Sequence, residues 1–254
     1  MSFKPYNIFR ETYAVAYGDL CYFRRNMFSV LISSLVSPLL YLLAFGYGMR
    51  SGSTGAADVS YIAYVIPGII AITTLTAGFA SSSQKILIQR LFYTSFDELI
   101  LCPMHTASII LGKSVIGMLK GLLGSFIMLI LGLFLTPDIY FNLRLCLVIF
   151  LSCFVYSLMG VMAGLLAHSS PNLGMLGAIL ITPMTFLCGT IFSVSSLPPV
   201  VASIIWVLPL THSSEIIRAA ALGWAFPWWS VVTLCIYAIG FFVIDYKLIK
   251  EKLY

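Results

Sequence analysis

Apolar positions run along this chain in long blocks, set apart by short polar breaks. A helix crossing a bilayer needs about 20 consecutive apolar residues. Six stretches approach that length: 29–48, 61–82, 107–135, 145–167, 173–192 and 228–244. The pattern predicts an all-α polytopic membrane protein with six transmembrane helices. Ahead of the first span, in residues 3–25, Phe9, Tyr13, Ala16, Tyr17, Leu20 and Phe23 recur at helical steps, with Arg10, Glu11 and Arg24 off the stripe. That periodicity predicts an N-terminal amphipathic helix lying at the membrane interface. Before the last span, segment 193–227 is apolar but cut by Pro198, Pro199, Pro209 and Pro227. Its pieces, Val200–Leu208 and Ser213–Leu222, are about half the length needed to cross. They predict short helices that dip in and return, or lie at the outer surface.

The polar breaks differ in kind. Met49–Ser60 is Gly- and Ser-rich and reads as a loop; Thr136-Pro137-Asp138 is a tight turn; His168–Asn172 is short enough to make its flanking spans antiparallel neighbours. Gln84–Lys113 is longer and clusters charge of both signs: Lys85 and Arg90, then Asp97 and Glu98, then Lys113. Leu91, Phe92, Phe96, Leu99 and Ile100 lie among these charges, as in a short surface helix with its apolar side down. A solvated connecting loop is the alternative. Within the spans, Gly117 with Gly121, and Gly160 with Gly164, stand four apart, a spacing that lets helices approach closely. Thr73, Thr74 and Thr76 give the second span a mildly polar face, and Pro38, Pro67 and Pro183 fall inside spans, where proline bends a helix.

Composition narrows the class. Of 254 residues, 60% are hydrophobic and 9% charged, against about 25% charged in soluble domains; mean hydropathy is +1.02. The spans use up the chain, so residues 1–254 form a single transmembrane domain. The net charge of +5 matters through its placement rather than as a nucleic-acid signal. Eleven Lys and Arg fall in the N-terminal lead, around Gln84–Lys113 and in the C-terminal tail; only Arg50, Arg144 and Arg218 face the other way. The positive-inside rule puts both termini and residues 84–106 in the cytosol. The six cysteines form no C-x-x-C pair and lie in spans or cytosolic stretches, so no disulfide is expected. No cleavable signal peptide is visible, the first apolar run starting only near Ser29.

Candidate chemistry is sparse. His105, His168 and His212 have no metal-ligand spacing, and no nucleophile motif is present. Gly112-Lys113-Ser114 resembles the end of a phosphate-binding loop, but Ala107 stands where that loop needs glycine, and a membrane span follows. No Asp or Glu falls in mid-span except Glu215 in the broken segment, which argues against a proton- or sodium-driven carrier. Glu215 and Arg218 can pair as an external ion pair on one helix face.

Several stretches resemble the membrane subunit of ABC-2-type exporters. Ser37–Gly48 is similar to that family's first span, and Tyr64-Val65-Ile66-Pro67-Gly68 to the approach to its second. Glu98–Met104 is similar to the E-x-x-x-x-P core of its cytosolic loop. Cys188–Pro199, Leu208–His212 and Glu215–Ala219 resemble its signature before the last span. Length and layout resemble the branch of nodulation-factor and drug export permeases. The resemblance implies a permease in a bacterial cytoplasmic (inner) membrane, not an enzyme. It would work as a homodimer with two copies of a separate ATP-binding cassette ATPase, which would hold the ATP and Mg. Residues 3–25 would be the connecting helix. A coupling helix carrying Phe96, Asp97, Glu98, Leu99, Pro103 and Met104 would dock on the ATPase. Cargo, an amphiphilic, glycan-lipid or drug-like molecule, would pass Thr73, Thr76, Phe79, Met184 and Leu187 of spans two and five. Two other readings are a membrane-embedded enzyme, whose clustered polar residues are missing, and a structural or assembly subunit without its own transport activity.

Overall fold

A computed structural model describes residues 7–41, 43, 61–187, 203 and 205–253. The loop expected at 49–60, the Cys188–Pro199 motif, the first part of segment 193–227 and the end of span one lie outside the described residues. The helices are α1 (Ile8–Arg25), α2 (Met27–Tyr41), α3 (Tyr61–Leu91), α4 (Ser95–Leu101), α5 (Thr106–Leu135), α6 (Leu143–Leu166) and α7 (Ser170–Leu187), then α8 (Pro209–Leu222) and α9 (Trp228–Leu253). The fold is all-helical. Among the described residues, four stretches are long and apolar enough to cross a membrane: Ile62–Leu91, Thr106–Leu135, Leu143–Leu166 and Trp228–Glu251.

The centre of the molecule is the three-helix contact of α3, α5 and α6. Small side chains make it possible. A methyl group on Gly117 would come within 2.0 Å of the Ser82 hydroxyl, and one on Gly160 within 2.5 Å of the Phe79 carbonyl. Without side chains there, the backbones close in, and the hydroxyls take over. Ser82 and Ser157 share a hydrogen bond of 2.7 Å, and Ser157 donates on to the Ser114 carbonyl. In hydrocarbon this close packing and the interhelical bonds replace the hydrophobic effect as the cohesive force. Around it the large buried side chains Ile66, Ile69, Ile70, Leu75, Met128, Leu129, Leu145 and Tyr156 fill the core.

α1 lies along α5, α9 packs on α6, and α8 sits against α3, α6 and α9. α7 touches the rest more lightly and leaves Met175, Ile179 and Phe186 exposed. Chain direction alternates, so the end of α3, α4, the start of α5, the end of α6 and the start of α7 share one end of the bundle. The 136–142 turn lies at the other, where the Tyr140 N–H donates to the Ala221 carbonyl at the end of α8. α3 continues well past Ser82, where hydropathy falls. Gln84, Lys85, Gln89 and Arg90 are good helix formers, and Lys85 and Arg90 find partners on neighbouring helices. α9 likewise continues past Ile244 through the charged tail.

Candidate functional site

The end of the bundle that carries α4 has the most developed polar architecture. α3 ends at Leu91, and the chain turns at Thr94, whose φ of 51° is the single left-handed non-glycine among the described residues. A β-branched residue rarely adopts that conformation, so packing beyond the turn has to hold it. Phe96 supplies that packing, at 2% exposure among Ile86, Ile109, Ile110, Leu158, Val161, Leu165 and Ile249. Leu99, Ile100 and Met104 pack beside it. Burial of one phenyl ring is worth about 2 kcal/mol, enough to seat so short a helix. The other face of α4 is free: Asp97, Glu98 and Pro103 are exposed, and Leu101 is 83% exposed. Asp97 and Glu98 also lie in the first turn, where helix polarity favours negative charge.

The elements on either side of α4 are clamped by charges. Glu11, on the inner side of α1, accepts hydrogen bonds from the His105 N–H (3.0 Å) and the Ser108 hydroxyl (2.8 Å), with His105 Nδ1 3.1 Å away. It therefore caps the start of α5 from another helix. The His105 N–H, helped by Ser108 and the His105 ring, holds the Glu11 carboxyl below its ordinary value of 4.5 against the opposing effect of burial. Arg90 does the converse job at the end of α6. One of its guanidinium nitrogens donates to the carbonyls of Gly164, Leu165 and Ala167 at 2.8, 2.6 and 3.2 Å. These are carbonyls that a helix terminus leaves without partners. Asp19, further along α1, receives Lys85 from α3 and Lys113 from α5 at 3.2 and 3.3 Å. Lys85 also stands over the Tyr22 ring, 4.6 Å from its centre. α1, α3, α5 and α6 are thus braced together beside α4, whose Phe96 is seated among residues of α3, α5, α6 and α9.

Sequence reasoning noted Glu11 and Arg90 only as charges, without their capping roles, and passed over Asp19. It placed the charges of 84–113 outward, which Asp97 and Glu98 obey, whereas Lys85, Arg90 and Lys113 turn inward. The two acids on α1 stand eight apart, on one helix face, and that spacing was the available signal. Phe9, Tyr13 and Tyr17 of the expected stripe face outward, while Val15, Ala16 and Phe23 face α5 together with the acids. Asp245 of α9, which by sequence closes the last span, is wholly buried, and neither carboxylate oxygen has a hydrogen-bond partner among the described residues.

A second feature is a cleft of about 340 Å³ between α3 and α7, lined by Phe79, Ser83, Gln84, Leu87 and Ile88 on one side and Ser170, Leu173, Gly174, Gly177 and Ile181 on the other. Of the five residues expected along a cargo path, Phe79 lines this cleft. Thr73 and Thr76 lie one to two turns deeper, with their hydroxyls bonded to the carbonyls of Ile69 and Ile72 on their own helix at 2.8 and 2.9 Å. Met184 is buried in the core, and Leu187 ends α7. Serine, glutamine and glycine around apolar side chains make the cleft amphiphilic in character.

At the opposite end, Glu215 accepts a hydrogen bond from Ser230 at 2.6 Å, and Ser230 also meets His212 at 3.2 Å. Arg218 lies over the Tyr64 ring, 3.8 Å from its centre, within electrostatic reach of Glu215. Tyr156 and Ser213 share a buried bond of 2.6 Å. These contacts tie α8 to α3, α6 and α9. Among the described residues no three His, Cys, Asp or Glu side chains gather as a metal site.

Comparison with known proteins adds the family context. The family model for the ABC-2 type transporter matches residues 10–222. The chain is similar to the inner membrane transport permease YadH of Escherichia coli (strain K12), 24% identical over 202 residues, covering 79% of this chain and 78% of that one. It is also similar to Nodulation protein J of Neorhizobium galegae, 25% identical over 226 residues (88% of this chain, 86% of that one). Nodulation protein J of Rhizobium leguminosarum bv. viciae is 26% identical over 226 residues, with 88% and 87% covered.

Proposed function

Because the chain belongs to the ABC-2 type transporter family and is a membrane transport permease, we propose that it is the membrane-spanning half of an ATP-driven exporter whose motor is a separate ATPase. The observation that carries this reading is α4: a short helix anchored by Phe96, with Asp97, Glu98, Leu101 and Pro103 open to a partner. A docking helix must be seated firmly enough to pass on a push and bare enough to receive one. The braced platform of Glu11, Asp19 and Arg90 supports the first requirement, and the exposed face supports the second.

In this reading the α4 end is cytosolic, both termini lie on that side, and six spans cross an inner membrane, with α2 and α7 as the first and fifth. α1 lies at the interface and α8 at the outer face. Two copies of the chain face each other and carry two ATPase copies, which bind ATP and Mg. Closure of the ATPases pulls on α4, and α1, α3, α5 and α6 tilt together because they share its clamps. Cargo, an amphiphilic, glycan-lipid or drug-like molecule, enters at the α3/α7 cleft. Phe79 meets its apolar part, while Ser83, Gln84 and Ser170 meet its polar part.

Purification from native membranes in mild detergent tests this. Wild type should bring down an ATP-binding chain, and Asp97→Lys/Glu98→Lys should lose it. Retention of that chain by the variant would move the docking site away from α4, and its absence from wild type would remove the motor.

A further inference from the structure

Hydrogen-bond directions at the end opposite α4 fix how many protons sit there. Ser230, near the start of α9, stands between two residues of α8. Its hydroxyl oxygen is 2.6 Å from a Glu215 carboxylate oxygen and 3.2 Å from His212 Nδ1. On the other side of the ring, His212 Nε2 lies 2.9 Å from the Trp206 carbonyl. A carbonyl and a carboxylate only accept, and a hydroxyl has one hydrogen to give. With Glu215 ionised, that hydrogen goes to the carboxylate. The Ser230 oxygen then offers Nδ1 a lone pair, and the Trp206 carbonyl offers Nε2 another. A neutral ring has one hydrogen for these two contacts, so one of them fails whichever tautomer forms. Only the imidazolium satisfies both. A proton on Glu215 would instead reverse both Ser230 bonds. Arg218, over Tyr64 and within electrostatic reach of Glu215, favours the carboxylate and so leaves the proton on His212.

Burial gives this proton its weight. His212 and Ser230 are buried and Glu215 is half-buried, so water is a poor substitute for a lost partner. The same three residue types form a hydrolytic triad, but there the histidine stands between carboxylate and serine. Here the serine stands in the middle, which makes a tie rather than a nucleophile. The tie joins residues 205–208, α8 and α9. Tyr237 of α9 adds a hydrogen bond to the Val207 carbonyl, and the Trp206 indole stands edge-on to the His212 ring, with 5.5 Å between centres. Among the described residues, α3, α7 and α9 bring no charged side chain to this end. The charges there are Arg218 beside Glu215 and the exposed Arg144 and Asp138.

We propose that His212, held as an imidazolium between Ser230 and the Trp206 carbonyl and balanced by Glu215, is a pH-sensitive latch that fastens residues 205–208, α8 and α9 together. Loss of its proton removes one of the two ring contacts. This end of the bundle therefore holds less tightly in mildly alkaline than in mildly acidic surroundings. The latch lies away from α4 and from the α3/α7 cleft, and it stands whether or not an ATPase drives the chain.

The test is nitrogen nuclear magnetic resonance of the ring nitrogens in the full chain, purified in neutral detergent with isotope-labelled histidine. Exposed His168 serves as the internal reference. The His212 signal is assigned by its loss in His212→Gln or, should that variant not fold, by elimination with His105→Gln and His168→Gln. Slightly above neutral pH, His212 should carry hydrogen on both nitrogens while His168 carries it on one. Ser230→Ala keeps every titratable group but cuts the link to Glu215, and in it His212 should carry one hydrogen at the same pH. Between mildly acidic and mildly alkaline pH, the melting temperature of wild type should fall by about 3 °C more than that of Ser230→Ala, the scale of one hydrogen bond in a chain of this size. A wild-type His212 ring with a single hydrogen at that pH would overturn the proposal. Equal falls in melting temperature for wild type and Ser230→Ala would overturn it as well.

Discussion

At the residue scale, the telling feature is how few charges this chain has and how many of them work at helix ends. Arg90 bonds three carbonyls with one nitrogen. Hydrogen bonds to a charged group contribute about 1.5–3 kcal/mol, so Arg90→Ala should lower unfolding stability by about 2 kcal/mol in a denaturant titration. Arg90→Lys should recover only part, because lysine's shorter side chain brings its ammonium less close to these carbonyls than the guanidinium nitrogen reaches. Glu11 makes a pH prediction whose sign follows from its depressed value. Its contribution is complete above the unfolded carboxyl's ordinary value of 4.5 and is lost as pH falls through the lower folded one. Melting temperature should therefore drop as pH falls below 4.5, and Glu11→Gln should flatten that limb while lowering stability near neutrality. None of these roles was legible in sequence. Capping across helices pairs residues some 75 to 95 positions apart, and hydropathy carries no information about such pairs. Phe96 was legible only as one of a group of apolar residues among charges: Phe92 of the same group is 70% exposed, and no pattern in the sequence separates the two.

At the element scale, the long helices follow from hydropathy. The pattern predicts spans at 107–135 and 145–167, and α5 and α6 occupy Thr106–Leu135 and Leu143–Leu166. Their close approach at Gly117 and Gly160 follows from small-residue spacing. Hydropathy misplaces the ends of α3 and α9, because those helices continue through polar residues after the apolar run stops. α4 should behave as a semi-independent element tied down by one ring. Phe96→Ala should release it, with faster amide exchange across Ser95–Leu101 and a loss of about 3 kcal/mol locally. α5 and α6, held through their glycines and serines, should keep their protection. Uniform loss of protection through α3, α5 and α6 would mean that α4 is part of the core rather than seated upon it.

At the scale of the whole molecule, charge and shape agree. Basic residues gather at the α4 end, where three of them also find acidic or carbonyl partners inside the fold, while Arg144 and Arg218 stand toward the other. α7 is only lightly packed and exposes an apolar face at Met175, Ile179 and Phe186. On the proposed reading the chain is half of a machine, with α4 as the platform to be pushed and the α3/α7 cleft as the part that the push opens. The most direct measurement places a photo-crosslinking amino acid at Leu101, on the open face of α4, and in parallel at Phe96 and at Tyr140 on the opposite end, in native membranes. An adduct with an ATP-binding chain from position 101, and from neither of the others, is the predicted result. Adducts from Tyr140 with none from Leu101 would contradict the assignment of α4 as the contact through which ATP hydrolysis moves this protein.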